Sequence, residues 1–189
     1  MRSLDDFARE KLDALAARDA RRRLRPGTGD ARRFTFEGRS FVAFASNDYL
    51  GLAGHPAVCA AARAAVDARG LGSTASRLVV GDGPEHQALE ADLAALKGTA
   101  AACVFGSGYH ANLGIIPSLA GPDDVIFVDA LAHACLRSGA RLSRAHVVAF
   151  PHDDVDALQA ALHRDRSRGR RALVLTEGVM PVAQDERLV

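Results

Sequence analysis

Four short apolar runs, 101–105 (AACVF), 124–129 (DVIFVD), 146–150 (HVVAF) and 171–176 (RALVLT), are separated by helical stretches that begin near Tyr109, His133 and Asp154. This alternation is the strongest constraint on the fold. A strand that is apolar throughout must be covered on both faces, and a strand that reaches the next one through a helix pairs with it in parallel. The chain is therefore expected to be α/β, a parallel-rich sheet with helices on both faces. In such sheets ligands bind outside the carboxyl ends of the strands. The segments to examine are 106–110, 129–133, 151–153 and 177–180.

The preceding sequence has a different character. Leu4, Phe7, Leu12 and Leu15 recur at helical spacing, which predicts an amphipathic helix from Leu4 to about Arg23, with Pro26 and Gly27 as stop signals. Apolar and polar residues then alternate on both sides of Glu37, Gly38 and Arg39, as in a small hairpin. A helix follows from Pro56 to about Arg69, then a Gly/Ser/Thr-rich segment, 70–83, and a helix opened by Pro84, running to about Lys97 and closed by Gly98. The expected division is an N-terminal helix and hairpin segment, 1–45, followed by the first part of the main domain, 46–189.

Composition narrows the function classes. With 189 residues and 48% hydrophobic content the chain can bury one substantial core, and a formal net charge of +1 gives no global attraction to nucleic acid. The N-terminus mixes acids and bases, and no run approaches the roughly 18 apolar residues of a membrane helix. A soluble, cytoplasmic protein without nucleic-acid or membrane partners is expected. Cys59, Cys103 and Cys135 lack CxxC or metal spacing, and Cys103, inside AACVF, reads as a packed, reduced thiol. No histidine forms a metal-spaced set with Cys or a carboxylate, so no metal is expected.

The turn FGSGYHA, 105–111, carries the first candidate chemistry. Gly106, Gly108 and Ala111 satisfy GxGxxA, and Asp129 stands about 20 residues on, where a dinucleotide-binding domain places its ribose-binding acid. The same turn suits a single phosphate held by helix N-terminal amides, with the Ser107 hydroxyl as a further donor. A purely structural turn is the third reading. His133, at a helix start after a strand, can face the same crevice and stack on a flat cofactor ring or transfer a proton. In SNDYLGL, 46–52, Asn47 and Asp48 favour a turn, and the Asn47 amide can orient a ligand. Arg18, Arg21, Arg22, Arg23 and Arg25 complement a helix dipole, or offer one guanidinium to a substrate carboxylate.

Taken together, SNDYLGL, GLGSTASRLVVGDGPEHQALE, FGSGYHANLG, DALAHA and LTEGV resemble the α-oxoamine synthases, in the order that family shows them, over roughly Arg21 to Val179. The resemblance implies a pyridoxal 5'-phosphate-dependent fold-type I large domain and a reaction that joins an amino acid to an acyl-CoA or acyl-carrier-protein thioester with loss of CO2. Alanine and a pimeloyl thioester are the expected pair; glycine-using members share the motifs. Ser107, Gly108 and Tyr109 would hold the cofactor phosphate and His133 would stack on its pyridine ring. Arg21 and Asn47 would face the substrate, and 73–77 would come from the partner subunit of a homodimer. The cofactor supplies the electron sink.

Two departures accompany the likeness. The family continues TEGV with an aromatic residue, a serine and a Met-Asp-Gly-Asp run, where this chain has Met180, Pro181, Val182, Ala183, Gln184 and Asp185. Its only lysines are Lys11 and Lys97, neither at a carboxyl strand end, so the Schiff-base lysine is not among them. The chain is accordingly expected to be an N-terminal part of such an enzyme, inactive alone, with an apolar sheet edge exposed. A nicotinamide-dependent dehydrogenase using Gly106, Gly108, Ala111 and Asp129 is the alternative.

Overall fold

The structure, a computed structural model, describes residues 3–24, 26–30 and 32–178. The chain divides into two compact units, Met1–Asp82 and Gly83–Val189. Arg25 and the departures at 180–185 lie outside the described residues.

The first unit opens with α1 (Leu4–Ala16). Its start is a capping box: Ser3 Oγ accepts from the Asp6 amide at 3.1 Å and the Asp6 carboxylate accepts from the Ser3 amide at 3.3 Å. The helix stops well short of the expected Arg23. Asp19 adopts a left-handed conformation (φ 55°), the Ala20 amide donates back to the Leu15 carbonyl and the Asp19 amide to that of Ala16. This is a Schellman-type stop, and an aspartate tolerates its αL position. Helical spacing upstream carried no sign of it. The Arg18 Nε adds a hydrogen bond to the Ala14 carbonyl at 3.1 Å, so one member of the arginine cluster serves the helix end.

β1 (Thr28–Gly29), β2 (Arg33–Phe36) and β3 (Arg39–Val42) form an antiparallel sheet in that order. Glu37 and Gly38 both have positive φ, 49° and 72°, as a two-residue type I′ hairpin requires. β1 is an addition that the alternation around Glu37 did not reveal. α2 (Pro56–Arg69) has the expected bounds, and a π-helical turn, Arg77–Gly81, follows. Neither α1 nor α2 contains a buried residue.

The second unit holds α3 (Pro84–Lys97), α4 (Gly108–Leu119), β4 (Val125–Asp129), α5 (Ala134–Ser143), β5 (His146–Phe150), α6 (Val155–Asp165) and β6 (Ala172–Leu175). The sheet is parallel with order β5-β4-β6, so β4 is flanked on both edges and all five of its residues are buried. Its side chains divide by the two-residue period of a strand. Ile126 and Val128 pack with Ile116, Leu136, Ala140 and Leu175, while Val125 and Phe127 pack with Phe150 and Ala161. One face is thus covered by α4 and α5 and the other by α6, the two-sided cover that apolar strands demand.

Residues 101–105 do not form the expected strand. A strand exists by pairing, β5 and β6 already occupy both edges of β4, and no described strand pairs with this run. The Val104 amide donates instead to the Glu90 carboxylate at 2.8 Å. Cys103 is exposed rather than packed; the buried thiol is Cys135.

Two contacts fix the ends of β4. At its start, buried Asp124 accepts from the Gly121 and Arg171 amides and pairs with the Arg171 guanidinium at 3.0 Å, binding the entries of β4 and β6 together. At its end, the Asp129 carboxylate, only 2% exposed, lies 2.8 Å from the His152 imidazole beyond β5 and accepts from the Leu131 amide. Burial pushes the Asp129 pKa up, but the hydrogen bonds from His152 and Leu131 outweigh it and hold the carboxyl below its ordinary 3.8. The hydrogen bond to Asp129 in turn raises His152 above 6.5, against a smaller opposing effect of burial.

These features generate two predictions. A Cβ on Gly139 of α5 would lie 2.7 Å from the backbone oxygen of Asn112 on α4, and a backbone atom cannot swing aside. Gly139→Ala is therefore expected to lower stability by about 1–2 kcal/mol in urea unfolding despite alanine's better helix propensity. A gain in stability would show that the helices are not in close contact there. The second concerns pH. The raised His152 stabilises fully below 6.5 and loses its effect as pH climbs through its folded value. The lowered Asp129 stabilises fully above 3.8 and loses its effect as pH falls through its own folded value. The pair's contribution thus peaks between these limits and fades toward alkaline pH; His152→Gln should flatten that alkaline decline in the urea midpoint. An unchanged slope would mean the pair is not formed.

Candidate cofactor-binding site

The site is built from two helix starts on the same face of the sheet. Ser107 is the N-cap of α4, its backbone extended (φ −164°, ψ 159°), and its Oγ accepts from the His110 amide at 3.1 Å. The Ala111 amide is taken by the Ser107 carbonyl. The amides of Gly108 and Tyr109 have no acceptor among the described residues and stand at the positive end of the helix dipole. Ser107, Gly108 and Tyr109 are all exposed, and the Ser107 hydroxyl still has its proton to give. Two amides, a hydroxyl and an uncovered helix end make a donor set that fits a phosphate monoester.

His133 is the N-cap of α5, a role usually taken by Ser, Thr, Asp or Asn. Its Nδ1 accepts from the Cys135 amide at 3.2 Å and lies 2.8 Å from Cys135 Sγ, while its own backbone amide donates to Glu177 Oε2 at 2.7 Å. Glu177 follows β6, so the loop after one strand holds the residue after another. The imidazole is exposed, while Cys135 behind it is buried.

Asn112 ties the two helix starts to each other: its Nδ2 donates to Cys135 Sγ at 3.1 Å, from the beginning of α4 to the beginning of α5. Gly139 and Ile116 continue the contact toward the helix ends. The residues 107–109 and His133 are thereby brought to one end of a packed helix pair. Arg21 and Asn47 belong to the first unit. Arg21 is exposed and outside any helix or strand; Asn47 is exposed, with Oδ1 3.4 Å from the Tyr49 hydroxyl. The turn SNDYLGL is organised by Asp48, whose carboxylate accepts from the amides of Leu52 and Ala53.

Sequence reading missed the supporting groups Asn112 and Cys135, and it marked the segment 151–153 without giving His152 a role. Cys135 left a signal, two residues after a histidine at a helix start, where an N-cap side chain meets the N2 amide. The dinucleotide alternative fails at Asp129. Its carboxylate is buried and committed to His152 and Leu131, so it cannot take up a ribose, and the run before the turn is not a sheet strand. Among the described residues no group of His, Cys, Asp and Glu is arranged to hold a metal, and no helix is long and apolar enough to cross a membrane.

Comparison with known proteins places this geometry. The aminotransferase class I and II family model matches residues 39–180. A putative 8-amino-7-oxononanoate synthase of Phenylobacterium zucineum is 55% identical over 98% of this chain and 48% of its own length. The 8-amino-7-oxononanoate synthase of Methylobacterium nodulans is 54% identical over 97% of this chain and 48% of its own. Among solved structures, the serine palmitoyltransferase of S. paucimobilis with bound PLP-myriocin aldimine superposes with a TM-score of 0.82 at 29% identity, covering 96% of this chain and 47% of that one. The Sphingomonas wittichii serine palmitoyltransferase gives 0.79 at 34% identity, covering 93% and 44%. The chain spans about half the length of the curated relatives it matches. With a parallel sheet covered on both faces and this match, the chain belongs to the aminotransferase class I and II family and has the fold of part of its large domain.

Proposed function

We propose that this chain supplies the phosphate cradle and the ring-covering imidazole of a pyridoxal 5'-phosphate-dependent acyltransferase of the 8-amino-7-oxononanoate synthase type. The substrates of the whole enzyme are alanine and a pimeloyl thioester, carried on CoA or an acyl carrier protein, and its product serves biotin synthesis. The observation that carries the proposal is the agreement of 55% identity along 98% of the chain with a site whose Gly108 and Tyr109 amides have no acceptor among the described residues. The serine palmitoyltransferase structures share the fold at 27–34% identity, below the 54–55% to the Phenylobacterium and Methylobacterium synthases, while a Francisella tularensis 8-amino-7-oxononanoate synthase structure is 25% identical.

Each residue has a task in that reading. Ser107, Gly108 and Tyr109 bind the cofactor phosphate, His133 lies against the pyridine ring, and Glu177 holds the His133 backbone in place. When bound, the cofactor provides an electron sink for charge developed at the amino-acid α-carbon. Arg21 and Asn47 contact the substrate, residues 73–77 contribute to the site of a partner subunit in a homodimer, and residues 46–189 form the first part of the cofactor-binding large domain. Lys11 lies on α1 and Lys97 ends α3, so the amine that carries the cofactor belongs to the rest of the enzyme.

The test is a single-residue removal of one donor. Ser107 is already in the extended conformation that precedes proline, and position 108 is the first residue of α4, where proline is favoured. Gly108→Pro therefore deletes one amide hydrogen while preserving the helix. Pyridoxal phosphate affinity, followed by fluorescence quenching, is expected to fall by about 10- to 100-fold, the worth of one charge-assisted hydrogen bond. Equal affinity in the two proteins, with helix content unchanged, would remove the phosphate from this turn. Release of CO2 by the whole enzyme from alanine, dependent on a pimeloyl thioester and absent with glycine or serine, tests the substrate assignment.

A further inference from the structure

We infer that Asn112 and Cys135 are positioning residues that hold the neutral His133 imidazole in one tautomer, with its proton on Nε2. The argument is a count of donors. The Cys135 backbone nitrogen can only donate, and it lies 3.2 Å from His133 Nδ1. A ring nitrogen that accepts an N–H bond carries no proton of its own, so the proton of the neutral ring sits on Nε2. The Asn112 amide nitrogen is also a donor only, and it lies 3.1 Å from Cys135 Sγ. The sulfur therefore accepts from Asn112 and turns its own hydrogen to Nδ1, 2.8 Å away.

Donation thus runs in one direction, from Asn112 to Cys135 to His133. Cys135 is 4% exposed, so water does not compete for its hydrogen. The opposite arrangement, an imidazolium donating to a thiolate, takes the acceptor from the Cys135 amide at the helix start. It also leaves a buried anion with a neutral amide as its other partner. One edge of the ring is fixed by two contacts, and the other presents an N–H donor rather than a lone pair. The tautomer assignment stands on the protein alone; its consequence for cofactor binding rests on the function proposed above.

The experiment uses the 189-residue chain labelled with ¹⁵N-histidine and measured without cofactor in mildly alkaline buffer, the His133 signals being identified by their loss in His133→Gln. The parent is expected to show a pyridine-like Nδ1 and a pyrrole-like Nε2. Cys135→Ala and Asn112→Ala keep the Cys135 backbone N–H but lose the oriented thiol, so they should move the shifts part of the way toward the averaged values of a freely exchanging ring. Cys135→Ala should also weaken pyridoxal phosphate binding about three- to tenfold, and Cys135→Ser, which keeps a donor, should remain near the parent. Circular dichroism identifies a variant that fails to fold, in which case the parent spectrum and the remaining variants decide. A protonated Nδ1, a thiolate absorbance, or a single Nε2–H tautomer retained in both alanine variants overturns the inference. A whole enzyme that binds no pyridoxal phosphate, beside a chain that shows the Cys135-dependent tautomer, defeats the proposed function and leaves this inference standing.

Discussion

The close approach of α5 to α4 is the contact on which the site depends. Gly139 leaves room for the Asn112 carbonyl, Ile116 fills the space beside it, and Ala140, Leu136 and Leu175 extend the same apolar layer over Ile126 and Val128 of β4. Dispersion and burial act over the whole length of this layer and have no direction of their own. Direction comes from the Asn112 to Cys135 hydrogen bond, which sets the register of one helix start against the other. Without that register, the unsatisfied amides of α4 and the imidazole that opens α5 would be unrelated features.

Polar interactions at the carboxyl end of the sheet then act on a scaffold that is already packed. The Glu177 carboxylate reaches across from the exit of β6 to the His133 amide, and Asp129 holds both the Leu131 amide and the ring of His152. Three consecutive strand exits are tied through two carboxylates. A carboxylate suits this work because it accepts several hydrogen bonds at once, and when buried it must find such partners or lose its charge. Asp129 finds them, which is why it remains ionised although it is almost fully enclosed.

Much of this was legible in the sequence, and the reason differs by element. β4, β5 and β6 were evident because each is a short apolar run between helical stretches, although only β4 is buried throughout, and α2 and α3 because proline and glycine mark their limits. The early end of α1 was not, since Asp19 stops the helix through its backbone conformation while helical spacing continues beyond it. The run 101–105 reads as a strand by composition, yet strand formation depends on a neighbour that composition does not name. The start of α4 at Ser107 and Gly108 followed from local turn chemistry. Asn112 and Cys135 did not, because their roles arise from a contact between two helices, made by residues 23 apart in the chain.

The two units differ in how completely their apolar residues are covered, and this bears on what the chain needs around it. β4 is enclosed, whereas Phe44 is 94% exposed, Leu78 100% and Leu71 91% in the first unit, and Leu4 and Phe7 on α1 face solvent. Val147 and Val174, on the two outer strands of the sheet, are also partly uncovered. Single exposed apolar residues are ordinary, but this many in one unit, on α1 and in the segments around α2, form a surface suited to cover. The relatives are about twice as long as this chain, and the site residues implied for 73–77 lie in a segment whose leucines and valines are open. Leu71, Leu78, Val79 and Val80, together with the open face of α1, offer apolar area that gains stability only when something covers it.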